Sequence, residues 1–287
     1  MGTIPFIKMH GLGNDYVYID CFQKPTAEFI GSMDLSDLAR RVSDRHFGIG
    51  SDGLVLILPA DEADAKMRMF NPDGSEAQMC GNAIRCVGKY LYESGICTET
   101  ELRIDTLSGI KTLLLHAVEG IVERVTVNMG VPSVFPDTLP LEGKTLDFMN
   151  VNMGNPHAVF FLDRPAAYEE VHTLGPKIET HPHFPEGTNV EFAYVRNERE
   201  IDMRVWERGT GETMACGTGT CATAVAAIRQ GKAGNTVTVH LLGGDLAIRW
   251  NGDSQPVFMT GPAAEVFRGT IKLDDYEYQH EFSAAQE

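Results

Sequence analysis

The chain has 287 residues, is 43% hydrophobic, and carries 24 Lys+Arg against 40 Asp+Glu, a formal charge of −16. That content supports one full core or two smaller ones, and the acidic balance argues against nucleic acid or an anionic membrane as partner, since both need a basic surface. The longest apolar runs, such as Leu54–Leu58, are far too short to span a bilayer, the start of the chain shows no secretory pattern, and six cysteines then fit reduced thiols in a cytoplasm.

Phe6–His10 predicts a strand, Gly11-Leu12-Gly13-Asn14-Asp15 a tight turn with an amide at its tip, and Tyr16–Asp20 a second strand. The glycines are not a nucleotide fingerprint, because the third glycine and the following helix are missing. Asp34–Val42 predicts a helix with acid at its start and base at its end. Leu54–Leu58 reads as a buried strand, and Lys66–Phe70 as an alternating one that delivers the chain into Asn71-Pro72-Asp73-Gly74-Ser75-Glu76-Ala77-Gln78-Met79-Cys80-Gly81-Asn82. In the helix after that turn, Ile84, Val87 and Leu91 share one face, with Arg85 and Lys89 on another. Leu102–Asp105 and Lys111–Ala117 are strands joined through Ser108-Gly109.

Glu119-Gly120 marks a domain boundary. Beyond it Arg124–Met129 is a strand, and Pro132, Pro136 and Pro140 predict an irregular connection. Phe148–Asn152 and Ala158–Leu162 flank the turn Gly154-Asn155-Pro156-His157, Tyr168–Leu174 predicts a helix, and His181–Pro185 a loop. Asn189–Tyr194 and Ile201–Trp206 are strands leading into Glu207-Arg208-Gly209-Thr210-Gly211-Glu212-Thr213-Met214-Ala215-Cys216-Gly217-Thr218. The helix after Cys216 has no charge from Gly217 to Ile228 and is small-residue rich, so it belongs inside a fold. Val237–Leu242, Leu246–Trp250, Val257–Thr260 and Glu265–Leu273 are the remaining strands, the last one crossing back to the first half.

The two turns share one design, Glu-x-x-x-Cys-Gly followed by a helix, about half the chain apart. This is an internal duplication on a long period. The expected fold class is α+β: two similar domains, each a curled mixed β-sheet around a central helix, covering residues 1–119 with a returning strand at about 266–287, and residues 120–265. Both cysteines are expected to face a shared cleft. A helix start offers unpartnered N–H groups and the positive end of a dipole, which bind a carboxylate and lower a thiol pKa. A thiolate on one side of a carbon and a thiol on the other can invert a stereocentre next to a carboxylate, one removing the proton and the other delivering it. Cys80 and Cys216 are the candidate pair, while Cys21, Cys86, Cys97 and Cys221 read as small buried hydrophobes. Without a C-x₂-C pair and with scattered histidines, no metal is expected.

Five separated segments in order are similar to the diaminopimelate epimerase family: Met9–Asp15, Asn71–Cys86, Gly154–His157, Glu186–Val190 and Glu207–Thr220. The resemblance implies cofactor-independent epimerisation of LL-2,6-diaminoheptanedioate to the meso form, in lysine and peptidoglycan precursor synthesis. It makes Cys80 and Cys216 the two bases, and assigns the helix starts Gly81-Asn82 and Gly217-Thr218 to the reacting carboxylate. Asn14, Asn71, Asn155, Asn189, Glu207 and Arg208 would line the substrate site, and His157 and Glu207 would set the cysteine pKa values. The family also implies a homodimer. Many of its members carry Gln where this chain has Gly53. A proline or hydroxyproline racemase shares the two-cysteine logic, but as a family expectation it has His where this chain has Asn82. A thiol redox sensor closing a Cys80–Cys216 disulfide is the non-enzymatic alternative.

Overall fold

The computed structural model of the chain describes residues 3–272. Its strands and helices run β1 (Thr3–Gly11), β2 (Asn14–Asp20), α1 (Lys24–Gly31), α2 (Leu35–Ser43), β3 (Leu54–Leu58), β4 (Ala65–Phe70), β5 (Glu76–Ala77), α3 (Gly81–Glu93), β6 (Glu101–Asp105) and β7 (Lys111–Val118). They continue as β8 (Ile121–Gly130), β9 (Ser133–Leu141), β10 (Lys144–Asn152), β11 (Pro156–Phe161), α4 (Tyr168–Glu179), β12 (Asn189–Asn197), β13 (Glu200–Glu207) and β14 (Gly211–Glu212). The last are α5 (Gly217–Arg229), β15 (Thr236–Leu241), β16 (Gly244–Arg249), β17 (Val257–Gly261) and β18 (Ala264–Lys272). Two compact units result, divided after Glu123 and after Pro262, with the second unit spanning Arg124–Pro262. The returning strand β18 belongs to the first unit and pairs with β1 from Thr3↔Lys272 to His10↔Ala264; the rest of the returning segment, 273–287, lies outside the described residues.

In the first unit β1 pairs antiparallel with β2, β2 parallel with β3, β3 antiparallel with β4, β4 parallel with β6, and β6 antiparallel with β7. The second unit repeats the series: β10 antiparallel to β11, β11 parallel to β12, β12 antiparallel to β13, β13 parallel to β15, and β15 antiparallel to β16. Each parallel step needs a crossover too long for a hairpin, which a helix usually supplies. The second parallel step in each unit is bridged by a two-residue strand, a cysteine turn and a helix, α3 or α5. The turns are held alike as well. Arg68 makes a two-pronged bond to Glu76 at 2.7 and 2.9 Å, and Arg204 one to Glu212 at 2.7 and 2.8 Å. Such forks fix geometry as well as charge.

The helices after the cysteines are buried because the sheets curl around them. α5 touches β9, β10, β11, β12, β13, β15, β16 and β17, which one helix can do only if the sheet bends about it. Its alanines 222, 224, 226 and 227 are fully buried, and their small side chains let the strands approach on all sides. α3 touches β1, β2 and β7, strands separated in the sheet order by β3, β4 and β6. Contrary to the two-faced helix expected from Arg85 and Lys89, both are buried. Their charges are met inside: Lys89 Nζ reaches Glu93 Oε1 at 2.6 Å and Val122 O at 2.8 Å, and Arg85 Nη1 reaches Gly81 O at 3.2 Å and Asn82 Oδ1 at 3.0 Å.

Two further expectations are corrected. The proline-rich segment is not irregular: Pro136 and Pro140 lie in β9, opposite Met149 and Thr145 of β10. Proline is tolerated in edge strands, and the even spacing puts both missing N–H groups on one side of the strand. The helix predicted to end at Leu174 runs on through Pro176 to Glu179. Tertiary packing overrides the proline, since a Cβ at Gly175 would lie only 2.6–2.9 Å from Trp206 atoms. Helix α1 escapes the sequence reading altogether, although Pro25 sits in its first turn, where proline favours a helix start. Among the described residues no helix is long and apolar enough to cross a membrane, which says nothing of crossing by strands.

The packing of α5 makes a test. Ala224→Leu adds methylenes where strands press from several sides, so it is expected to cost about 1–3 kcal/mol of unfolding free energy, measured as a lower urea midpoint with unchanged slope. An unchanged midpoint would show the helix less tightly enclosed than described.

Candidate active site

In the first unit Cys80 is the residue before α3, with extended backbone at φ −127° and ψ 123°. Asn14 opens β2, on which α3 packs, and the two meet: the Cys80 thiol donates to Asn14 Oδ1 at 3.4 Å. The same oxygen accepts from Asn82 Nδ2 at 3.4 Å. The other end of the Asn14 amide donates to Asp52 Oδ2 at 2.9 Å, and the Asp15 N–H donates to that oxygen at 3.0 Å. Arg45 closes the group, reaching Asp52 Oδ1 at 2.8 Å and Asp15 Oδ1 at 2.9 Å, while Lys8 pairs with Asp15. Tyr16 is buried beside Cys80; burial first, and the neighbouring sulfur second, push its phenol well above the ordinary value. The Asn71 amide donates to Ser75 Oγ at 3.0 Å within its own turn.

Gly53, where the family often has Gln, has φ +148°, and a Cβ there would lie 2.1 Å from Phe70 O and 2.9 Å from a Tyr16 ring carbon. This backbone admits only glycine, so no side chain from position 53 joins the site.

In the second unit Cys216 precedes α5 and its sulfur accepts from the Gly219 N–H at 3.4 Å, capping the helix. Thr218 Oγ1 lies 3.6 Å from the same sulfur. Asn155 Nδ2 donates to Thr218 Oγ1 at 3.3 Å, Asn155 Oδ1 faces His157 Nε2 at 3.0 Å, and His157 Nδ1 meets Glu191 Oε1 at 2.6 Å. The strands explain the assembly, because β11 and β12 run parallel with His157 opposite Asn189. Both His157 and Glu191 are buried. The Glu191 carboxylate crowds the helix start: a Cβ at Gly219 would lie 2.6 Å from Glu191 Oε1 and 3.2 Å from Cys216 Sγ. Glu207 accepts a hydrogen bond from Thr213, and its carboxylate acts on the Cys216 thiol. Asn189 ties the Asn155 turn to the Glu207 turn, donating to Pro156 O at 2.8 Å and accepting from Arg208 N at 3.0 Å. The Arg208 guanidinium is exposed and donates to Glu186 O at 3.0 Å.

The electrostatics modify one expectation. A helix N-terminus lowers a thiol pKa, yet at Cys216 burial pushes the thiol well above its ordinary value, and the Glu207 and Glu191 carboxylates push the same way. The Gly219 N–H and the Thr218 hydroxyl pull downward and are outweighed. Glu207 is itself raised, by burial first, against the pull of Thr213, Cys216 and His157. The other cysteines behave as ordinary core residues: Cys21 and Cys86 are buried, with thiols pushed up to about 12 and about 11 by desolvation, and Cys221 is buried. Cys97 is only half-buried. Among the described residues no disulfide joins the cysteines, and no group of three or more His, Cys, Asp or Glu is placed to hold a metal.

Asp52, Arg45, Tyr16, Arg85, Glu191 and Thr213 were not singled out from the sequence. Glu191 left a signal, as a charge inside the apolar run Val190-Glu191-Phe192-Ala193. Asp52 left a weaker one, sitting between glycines in Gly50-Ser51-Asp52-Gly53.

A family model described as diaminopimelate epimerase matches residues 6–135 and 149–266. The diaminopimelate epimerase of Acetivibrio thermocellus is 49% identical over 284 residues, covering 94% of this chain and 99% of that protein. That of Methanococcus maripaludis is 46% identical over 282 residues, covering 93% and 99%. Among solved structures, a probable proline racemase from Agrobacterium radiobacter has a TM-score of 0.70 at 20% identity, covering 94% of this chain and 93% of that one. A phenazine biosynthesis protein from Bacillus anthracis has 0.69 at 17%, covering 95% and 100%. Likeness at such low identity shows the fold alone, whereas near-half identity along almost the whole chain, together with the family match, is decisive: this chain belongs to the diaminopimelate epimerase family.

Proposed function

We propose that this chain interconverts LL- and meso-2,6-diaminoheptanedioate by moving a proton at the α-carbon between Cys80 and Cys216. One observation carries the reading: each unit sets, within a repeated strand series, a cysteine before a buried crossover helix. One sulfur, as thiolate, removes the α-proton; the other, as thiol, returns a proton to the opposite face and becomes the thiolate. The electron pair left on carbon is drawn into the substrate carboxylate. The helix starts at Gly81-Asn82 and Gly217-Thr218 have the donor groups and dipole to hold that carboxylate and its growing charge. Arg208 offers a planar fork for the distal carboxylate. Asn14, Asn71, Asn155 and Asn189 offer amides that add no charge beside the thiols.

Glu207 fits the role of proton partner to Cys216. Its carboxylate already acts on that thiol, and a carboxyl raised by burial exchanges protons with a raised thiol more readily than an ordinary one would. His157 acts at one remove, through Asn155 and Thr218. The reading carries with it a cytoplasmic homodimer with no nucleic-acid or membrane partner.

Incubation with LL-diaminopimelate in D₂O, followed by NMR of the α-proton, is expected to show exchange and conversion without added pyridoxal phosphate or metal. Cys80→Ala and Cys216→Ala are each expected to lower the epimerisation kcat by about 10³-fold. Full activity in either variant removes the two-base mechanism.

Glu207 also ties function to stability. Its pKa is raised in the folded protein, so the native state holds the proton more tightly than the unfolded chain. Its contribution is complete below the unfolded pKa and is lost as pH rises through the folded one. Glu207→Gln removes that loss. Relative to wild type, the variant's Tm is expected to rise by roughly 1–4 °C between pH 5 and pH 8, while its kcat falls. A Tm difference that stays flat across that range contradicts the buried-carboxyl account.

A further inference from the structure

The Asn14 amide is held from two sides, and both sides demand the same orientation. Asp52 is surrounded by donors, namely Asn14 Nδ2, the Asp15 N–H and Arg45 Nη2. A carboxylate so placed only accepts, so the Asn14 amide must turn its NH₂ toward it. From the other side, buried Arg85 only donates and meets Asn82 at Oδ1, at 3.0 Å. Asn82 must therefore turn its own NH₂ outward, where it meets Asn14 Oδ1. The polar series Arg85, Asn82, Asn14, Asp52, Arg45 has a positive charge at each end and one direction through its two amides. The Cys80 sulfur meets this series at Asn14 Oδ1, an atom that accepts and cannot donate. A thiol is satisfied there and a thiolate is repelled.

Cys216 differs at the same step. Its sulfur accepts from Gly219 N–H, and Thr218, whose oxygen already accepts from Asn155, has its hydroxyl proton to turn toward the sulfur. Cys80 makes no such capping bond from its side chain.

We propose that Asp52 is a positioning residue: through the Asn14 amide it presents an acceptor to Cys80 and keeps that cysteine in its proton-carrying form before substrate arrives. The inference rests on the two-base reading above and concerns Cys80 alone, since burial and the Glu207 and Glu191 carboxylates favour the proton on Cys216 as well. The titratable and charged groups around Cys80 are Tyr16 and Tyr18 of β2, Cys86 of α3 and Asp52, with Arg45 and Arg85 behind the two amides.

The test is site-resolved alkylation by iodoacetamide at pH 7 without substrate, with each cysteine followed by peptide mass spectrometry. Iodoacetamide reacts with the thiolate, displacing iodide. In Asp52→Asn made together with Asn82→Ala, the new amide offers both a donor and an acceptor and the hold on the Asn14 oxygen is gone, so Asn14 is free to turn its NH₂ onto the sulfur. Cys80 alkylation is then expected to rise on the order of tenfold. In Asn14→Asp the group facing the sulfur is an acceptor in any orientation and carries charge, so Cys80 is expected to react more slowly than in wild type. A merely structural role moves both variants in the same direction, and that result, or an unchanged Cys80 rate in both, overturns the proposal. Cys216 in the same digests reports whether the other unit is intact. Should the double variant fail to fold, Asn14→Asp alone decides, with slower reaction supporting the proposal and unchanged or faster reaction overturning it. No turnover is measured, so failure here is distinct from failure of wild-type exchange in D₂O.

Discussion

A strand cannot reach a parallel neighbour by a tight turn. That constraint organises this protein. The parallel steps from β4 to β6 and from β13 to β15 force the chain off the sheet, and in both places it returns through a helix that the sheet then encloses. The residue just before such a helix is fixed by the strand behind it and by the helix ahead. In each unit that residue is a cysteine, clamped further by an Arg–Glu fork at the base of the turn. The topology thus delivers a thiol to a helix start twice.

Duplicated topology does not make duplicated chemistry. Cys80 meets the oxygen of an amide. Cys216 meets a backbone N–H, a hydroxyl and a carboxylate, and lies deeper. The asparagines early in the two halves show how the divergence is built. Asn14 turns its amide nitrogen to a carboxylate, and Asn155 turns its oxygen to a histidine that is itself backed by one. A reversed amide is a small change in sequence terms and a change of sign for whatever sits at its other end. Two bases that must trade a proton benefit from unequal surroundings, since identical ones would give the resting pair no preferred owner of the single proton.

Much of this was legible in the sequence, for physical reasons. The chargeless run from Gly217 to Ile228 admits only an enclosed helix, and the repeated Glu-x-x-x-Cys-Gly exposed the duplication. Alternation marked the strands on either side of the cysteine turns. What escaped depended on tertiary partners. Arg85 on a helical pattern reads as solvated, because nothing local shows that Asn82 and Gly81 O will receive it. Asp52 and Glu191 are distant in sequence from the asparagine and histidine they meet, and no spacing rule links them. Pro136 and Pro140 read locally as part of an irregular connection, since the open edge that tolerates them is a property of the sheet. Gly53 carried a departure from its family whose reason lies in the Phe70 carbonyl and the Tyr16 ring.

The strand β18 closes the first unit by pairing along nearly the whole of β1. β1 has β2 on one side, but its other side therefore lacks a neighbour until Ala264–Lys272 has been synthesised. Protein synthesis ordinarily lets the leading domain fold before the trailing one. Here the order inverts: the continuous stretch Arg124–Pro262 has all its strands while β1 still waits, and the unit containing the amino terminus is the last to be sealed.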